Sequence, residues 1–566
     1  VKEYDGQLSF EGGIDSGNAP SIIAPNQLSW AVNTTMRGGF ATHRPPFLRR
    51  RITFEDDDVL ELFSTGLFQG STVFQGPNCS ISLIAAISGH MVKIQLGTSI
   101  QASDISDQSD LNNSTQPHVW FQQAEEFLVI QDSRDVPQIY DGASIRRSDV
   151  ANHEVPTGGP MAYGKGRLWV ATGKSYVGGD IVGGDGTTES VLKFTENTFL
   201  NEGGSFYVPS QQGDCSPITS MAFGSNIDTS LGEGDLLVFT ANSIFAFDAP
   251  ADRTVWKDLN YPIQRFALLD YGSLSHESVT TVNGDLFFRA QDGIRSFIFA
   301  RRDFTQSWAN TPISKEVNRA IRYDSDHLLF ASSAANFDNR MLMTVGPTQH
   351  ARGVIHRGFA VLDFDLVSSA RGKTSPAWEG VWTGVSILQV HRFRLNGKQV
   401  CMFFGVDETG AIGLWEIMKS GEFDDGVVPI QWIMETRSFD YTAPMKRKRL
   451  QQCETWIDSV IGELDLTTRF RSDARECWTH WHDYNTCVDR GSCDSDEDYC
   501  GIRPLVPGVR NRVSTPIASD SVDADGPVSV GYEHQVRLEI TGSARLRRLR
   551  VSAESVSDDM GGDIGV

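Results

Sequence analysis

The densest collection of side chains able to do chemistry lies between residues 477 and 500, CWTHWHDYNTCVDRGSCDSDEDYC. Cys477, His480, His482, Cys487, Cys493 and Cys500 bring thiols and imidazoles, the ligand types zinc prefers, into one short segment. Zinc sites usually take their cysteines in closely spaced pairs, whereas nine, five and six residues separate these four. Three readings stay open: disulfides among Cys477, Cys487, Cys493 and Cys500 in an oxidising setting, a reduced loop, and a metal site. Trp478, Trp481 and Tyr484 beside them form either a small local core or an exposed contact surface. The acidic group Asp494, Asp496, Glu497 and Asp498 reads as a solvated loop.

Other chemistry is sparse. Asp523, Asp525 and Gly526 have the arrangement of a calcium loop, but Tyr532 stands where its bidentate Glu belongs and no helices flank it, so a turn is expected. The chain has no G-x-S-x-G elbow, no phosphate-binding G-x-x-x-x-G-K-[ST] loop and no H-E-x-x-H. RAQDGIRSF faintly resembles the Asp-box of sialidases but lacks its leading Ser and closing Trp, and Asp292 is better explained as the first residue of the tight turn. Asn33, Asn78, Asn112 and Asn113 fall in N-x-[ST] sequons, as expected by chance in a chain this long. No catalytic residue and no cofactor is assigned, and an enzyme is not expected. A glycosidase would need a carboxylate pair that nothing here selects.

What must position these residues is a chain of short strands. VNGDLFFRAQDGIRSFIFARRDF (282–304) joins strand-like runs through Asn-Gly and Asp-Gly, dipeptides that suit type I′ hairpin turns. Similar units recur at 78–97, 124–142, 164–184, 233–249, 338–365 and 396–417. Their spacing brackets that of β-propeller blades, in which neighbouring sheets cover each other's faces. A run of β-sandwiches is the rival. TPISKEVNRAIRYD (311–324) is the best helix candidate, with Ile313, Val317 and Ile321 on one face. We therefore expect an all-β protein with an extended N-terminal arm (1–50), a β-propeller-like domain (51–430) and a C-terminal β-sandwich-like domain (431–566). The last carries the Cys-rich loop and ends in a flexible acidic tail. Within it, Val536, Leu538 and Ile540 alternate with Arg537 and Glu539, and TGSA is expected to turn the chain.

Composition bounds function. With 50 basic and 72 acidic residues the formal charge is −22, which disfavours a binder of nucleic-acid phosphates. The basic runs HRPPFLRRR (43–51) and MKRKR (445–449) suit contact with nucleic acid or with an acidic neighbour, and in an acidic chain contacts between subunits are favoured. No apolar run is long enough for a membrane span, and the polar, acidic start shows no signal-peptide core. Cys401, in the apolar run QVCMFFGV, is expected buried and reduced.

Four stretches carry a family likeness: GGIDSGNAPSIIAPNQLSWAVNTTMRGGFATHRPPF, YGKGRLWVATG with GGDIVGG, VNGDLFFRAQDGIRSF with RRDF and NTPISKEVNR, and YEHQVRLEITGSARLRRLRVSAE. With these the chain resembles the propeller-bearing tail nozzle, or tail tubular, proteins of short-tailed phages. The resemblance implies a virion structural protein located in the tail and assembled in the host cytoplasm. It implies a homo-oligomer, a hexameric ring, bound to portal or adaptor and to tail fibre or spike proteins. DNA would be only a passing polyanion, repelled by a negative lining. The Cys-rich segment is not part of that pattern. The alternative is a propeller that binds or cleaves carbohydrate at the host surface.

Overall fold

The computed structural model describes residues 2–195, 205–207, 216–224, 234–247, 250, 264–269, 271–297, 312–368, 375–418, 424–426, 428–486, 511–518, 522–523 and 526–556. The protein is all-β in class; among the described residues the helices are short and no sheet closes on itself. The acidic tail read at the end of the sequence lies outside the described residues.

Five small antiparallel sheets follow one another in chain order. The first joins Phe68–Gln75, Ile81–Ile87, His90–Gln95 and Ile100–Asp104, with Ile52–Phe54 added in parallel at its edge. The second runs from Trp120–Ala124 to Ile145–Arg147, the third from Met161–Gly164 to Ser205–Tyr207, and the fourth from Ser220–Phe223 to Gln264–Leu269. Thr280–Val282, Asp285–Ala290 and Gly293–Ser296 make the fifth. Tight turns set their registers. Ser88-Gly89, Asn283-Gly284 and Asn396-Gly397 all take two positive φ values, the requirement of a type I′ hairpin.

Chain order is also packing order, because each sheet is apolar on both faces. Phe74, Ile84 and Met91 of the first sheet share a core with Phe121, Leu128 and Ile130 of the second. Val129 and Ile139 then meet Leu168 and Val170 of the third, whose Trp169 and Tyr176 meet Met221 and Phe245 of the fourth. Phe239 and Ile244 meet Leu286 and Phe288 of the fifth. The fifth sheet's Phe287 and Ile294 share a core with Met341 and Met343 of the strand Arg340–His350. That strand's Leu342 lies with Phe403 and Trp415 of the next hairpin, Lys398–Val406 and Ile412–Ile417. On its other face that hairpin places Met402, Phe404 and Leu414 against Leu83, Val92 and Ile94, back on the first sheet.

The outermost strand beside Ile412–Ile417 comes from the other end of the chain. Phe47–Arg50 pairs with it, Phe47 opposite Ile417 and Arg50 opposite Leu414. Residues 1 to 50, read as an arm, thus contribute paired strands. Lys2–Gln7 lies along Leu549–Glu554, and Ala41 and Thr42 lie opposite Leu546 and Arg545.

The remaining chain builds long strands. Lys448–Ser472 and His534–Ser555 pair along their whole lengths, interrupted by bulges. The expected alternation holds at Val536, Leu538 and Ile540, which are buried. The expected TGSA turn does not form: the strand runs straight through, and Gly542, at φ 106, takes up an irregularity instead. The Asp-Gly of 292–293 is likewise not the centre of its turn, since Ala290 already pairs with Gly293 and leaves Gln291 and Asp292 at the corner. The helix candidate is a 3₁₀ turn, Ile313–Val317, continued by Asn318–Ile321.

A buried ionic network ties the early chain to the strands Arg340–His350, Gly353–Ser368 and Ser375–Leu395. Arg340 Nε lies 2.9 Å from Glu379 Oε2, and Arg37 Nε lies 2.6 Å from Asp363 Oδ2. Glu379 Oε1 accepts hydrogen bonds from Thr35 Oγ1 and from the Met36 amide. Glu379 and Asp363 are fully buried opposite these arginines; burial raises the Glu379 carboxyl, opposed in part by Arg340.

Candidate functional site

The Cys-rich segment divides at the boundary of the described residues. Cys477 is exposed and forms no disulfide among them. His480 stands exposed on the strand Thr479–Asn485, its Nε2 3.0 Å from Asp483 Oδ2. His482 is half-buried opposite Thr468 of the long strand. Cys487, Cys493, Cys500 and the acidic run 494–498 lie outside the described residues, so the ligand set is not brought together within them. Among the described residues no group of three or more His, Cys, Asp or Glu side chains is placed to hold a metal ion. The neighbouring aromatics are partly core. Trp481 packs edge-on to Phe470 at 5.3 Å and donates its indole N–H to the Pro516 carbonyl at 2.9 Å. Asp523 pairs with Gly526 in a short bridge, as the turn reading expects, while Asp525 lies outside the described residues.

Two other sequence signals resolve into internal structure. Arg49 and Arg50 of the basic run pair within the chain with Asp407 (2.7 Å) and Glu416. Lys448 of MKRKR donates to the carbonyls of Ala443, Lys446 and Tyr532. Cys401 is buried, and burial pushes its thiol well above the usual range, which keeps it protonated.

The polar groups that do converge are ones the sequence does not bring together. His118 precedes the first strand of the second sheet, and His276 and Glu277 precede that of the fifth. His391 and Gln389 project from Ser375–Leu395, and Ser71 and Ser220 stand on the first strands of the first and fourth sheets. His118 Nε2 lies 3.3 Å from Glu277 Oε2, His276 Nδ1 lies 3.3 Å from Ser220 Oγ, and His391 Nε2 lies 2.6 Å from Ser71 Oγ. Gln389 Oε1 accepts the Ser71 amide at 2.8 Å, and Gln389 Nε2 donates to the Ser71 carbonyl.

Burial acts on Glu277, His276 and His391. It opposes ionisation of Glu277, but the charge and hydrogen bond of His118, with His276 behind, outweigh it and hold the carboxyl at about 2. Burial pushes His391 down to about 4, opposed in part by Glu277, and lowers His276 as well. Glu277 is therefore the fixed negative charge of the cluster, and His391 is neutral at pH 7.

The cluster sits where cavities meet. One cavity of about 590 Å³ is lined by His118 and His276, and another of about 440 Å³ by His276, Glu277 and His391. Between them a void of about 20 Å³ is bounded by His118, Glu277 and Gln389. The His118–Glu277 pair joins a residue that lines the first cavity to one that lines the second. Chemically, a carboxylate facing an imidazole can hold and move a proton. The same contact fastens the second sheet to the fifth. A sequence signal exists, polar residues two to four positions before a first strand in HVW and SHESVTT, but nothing in it says that these strand starts face one another.

No protein-family model matches the chain, and no curated protein is similar to it. No helix among the described residues is long and apolar enough to cross a membrane.

Proposed function

We propose that the protein is a structural subunit of a short-tailed phage tail, one protomer of a nozzle-like ring that conducts the genome during ejection and anchors neighbouring tail proteins. The observation that carries the reading is where the family-like phrases fall. YEHQVRLEITGSARLRRLRVSAE is the strand that pairs with Lys2–Gln7, Ala41–His43, Gln431–Glu435 and Lys448–Ser472 at once. GGIDSGNAPSIIAPNQLSWAVNTTMRGGFATHRPPF supplies the segment that crosses between that strand and the small sheets. Two of the four family-like stretches thus fall in the most heavily paired part of the chain and two in the small third and fifth sheets, so the likeness spans both regions.

The finer architecture belongs to the same proposal. Packing that runs in chain order and returns to the first sheet supports a propeller-like body, its last hairpin completed by Phe47–Arg50. The long strands make a sandwich-like platform beside it. A formal charge of −22 suits a wall past which a polyanion must move without sticking.

Native mass spectrometry and negative-stain electron microscopy of the purified protein test this. A closed ring of six 62.5-kDa chains around an axial opening is expected, with immunogold label at the tail of the particle. A protein that stays monomeric at high concentration, or a label confined to the capsid, overturns it.

A further inference from the structure

The cavity of about 590 Å³ lies where the second, third, fourth and fifth sheets converge, a size typical of small-ligand sites. Among the described residues no Asp, Glu, Lys or Arg lines it, and His118 in its wall is already matched by Glu277 at 3.3 Å. A charged ligand would lose its hydration there without gaining a counter-ion, so the occupant must be neutral.

One side of the wall is aromatic. His118 stands edge-on to Trp120, ring centroids 4.8 Å apart, and to Phe330 at 6.0 Å, which fixes the indole in place. Facing the indole is Gly159, where an added Cβ would meet nothing nearer than the Trp120 ring at 4.0 Å. Gly158 beside it is different, since a Cβ there would strike the Ala171 carbonyl at 2.4 Å. Gly158 is a packing glycine. Gly159 leaves space.

The polar side offers acceptors. Gln116 spends its amide N–H on the Asp132 carbonyl at 3.0 Å, which turns its own carbonyl oxygen to other partners. Thr219 donates its hydroxyl to the Ser273 carbonyl at 2.5 Å and keeps lone pairs to accept with. His276 has Nδ1 toward Ser220, and burial favours its neutral ring, whose second nitrogen can also accept. A flat aromatic face opposed by acceptors, without charge, fits a ring that is apolar on its C–H face and rich in hydroxyl donors at its rim. We infer that this cavity binds an uncharged pyranose sugar, stacked on Trp120 and donating hydroxyls to Gln116, Thr219 and His276. The inference rests on this cavity alone and not on ring assembly.

Saturation-transfer NMR on the full chain with D-glucose, D-galactose, N-acetyl-D-glucosamine, a sugar phosphate and thymidine tests it. At least one neutral sugar should give a saturable signal, and the sugar phosphate should bind at least about tenfold more weakly. Gly159→Leu, which fills the space over the indole, should weaken binding at least about tenfold while circular dichroism stays unchanged. Trp120→Ala provides a second variant with the same expected loss should Gly159→Leu not fold. No saturation by any of the three sugars, equal binding by the filled variant, or binding of thymidine in their place overturns the assignment.

Discussion

The small sheets and the long strands reach rigidity by different routes. From Phe68 to Ser296 strands are three to eight residues long, and stability comes from apolar faces pressed between neighbouring sheets. Lys448–Ser472 and His534–Ser555 are 25 and 22 residues long, continuously paired, and their outer surface is laced with ion pairs such as Arg550–Glu454 and Arg547–Asp458. The first design distributes its core over many interchangeable interfaces. The second concentrates it on one ladder, so damage should spread further there.

The largest effect should come from the buried ionic network. Arg340→Met leaves Glu379 and Asp363 in the interior without that cation and should cost about 3–5 kcal/mol, read by urea unfolding. If the loss is under about 1 kcal/mol, the strands that carry this network are no more brittle than the small sheets. Phe404→Ala empties a position where the last hairpin meets the first sheet, its ring 5.3 Å from Phe68. The expected cost is about 3 kcal/mol, with faster deuterium exchange confined to those two sheets. Exchange that rises everywhere would abolish the distinction drawn above.

Acid should act through buried imidazoles next. His356 and His534 are held at about 4 by burial, well below their ordinary value. Between pH 6.5 and 4 the unfolded chain takes up protons that the folded chain refuses, so stability falls as pH falls. His356→Leu should remove about 2 kcal/mol of that loss at pH 4.5, measured by urea midpoints across pH. Glu154 works in the same direction at lower pH. Burial opposes its charge, but Arg146, the Asp149 amide and Lys193 hold it at about 2, so its contribution is present above about 4.5 and vanishes toward 2. The smallest effect belongs to Glu416→Gln. It breaks the exposed pair with Arg50 but leaves the ladder of Phe47–Arg50 intact, and should cost less than about 1 kcal/mol.

Local rules were readable wherever they acted over a few residues. Asn283-Gly284 and Asn396-Gly397 fold as their dipeptides demand, and the alternation around Leu538 places its side chains correctly. Errors arose where two local signals competed. Pairing of Ala290 with Gly293 fixed the corner one residue before the Asp-Gly, and the partner strand carried His534–Ser555 straight past TGSA. The convergence of His118, Glu277 and His391 was not legible at all. It depends on which strand starts face each other, a property of sheet order that no local pattern encodes. The Cys477–Cys500 cluster had the opposite fault: proximity in sequence suggested a site, but the histidines that are described serve a strand surface instead.

The closing strand has a consequence for synthesis. Arg50 and Glu416 stand 366 residues apart, so Phe47–Arg50 leaves the ribosome long before the edge that will receive it exists. Until then it is an orphaned ribbon, open to pairing with any nascent neighbour. Pro45 and Pro46 ahead of it, and Arg49, Arg50 and Arg51 within and after it, are what a chain needs to keep such a ribbon solitary while it waits.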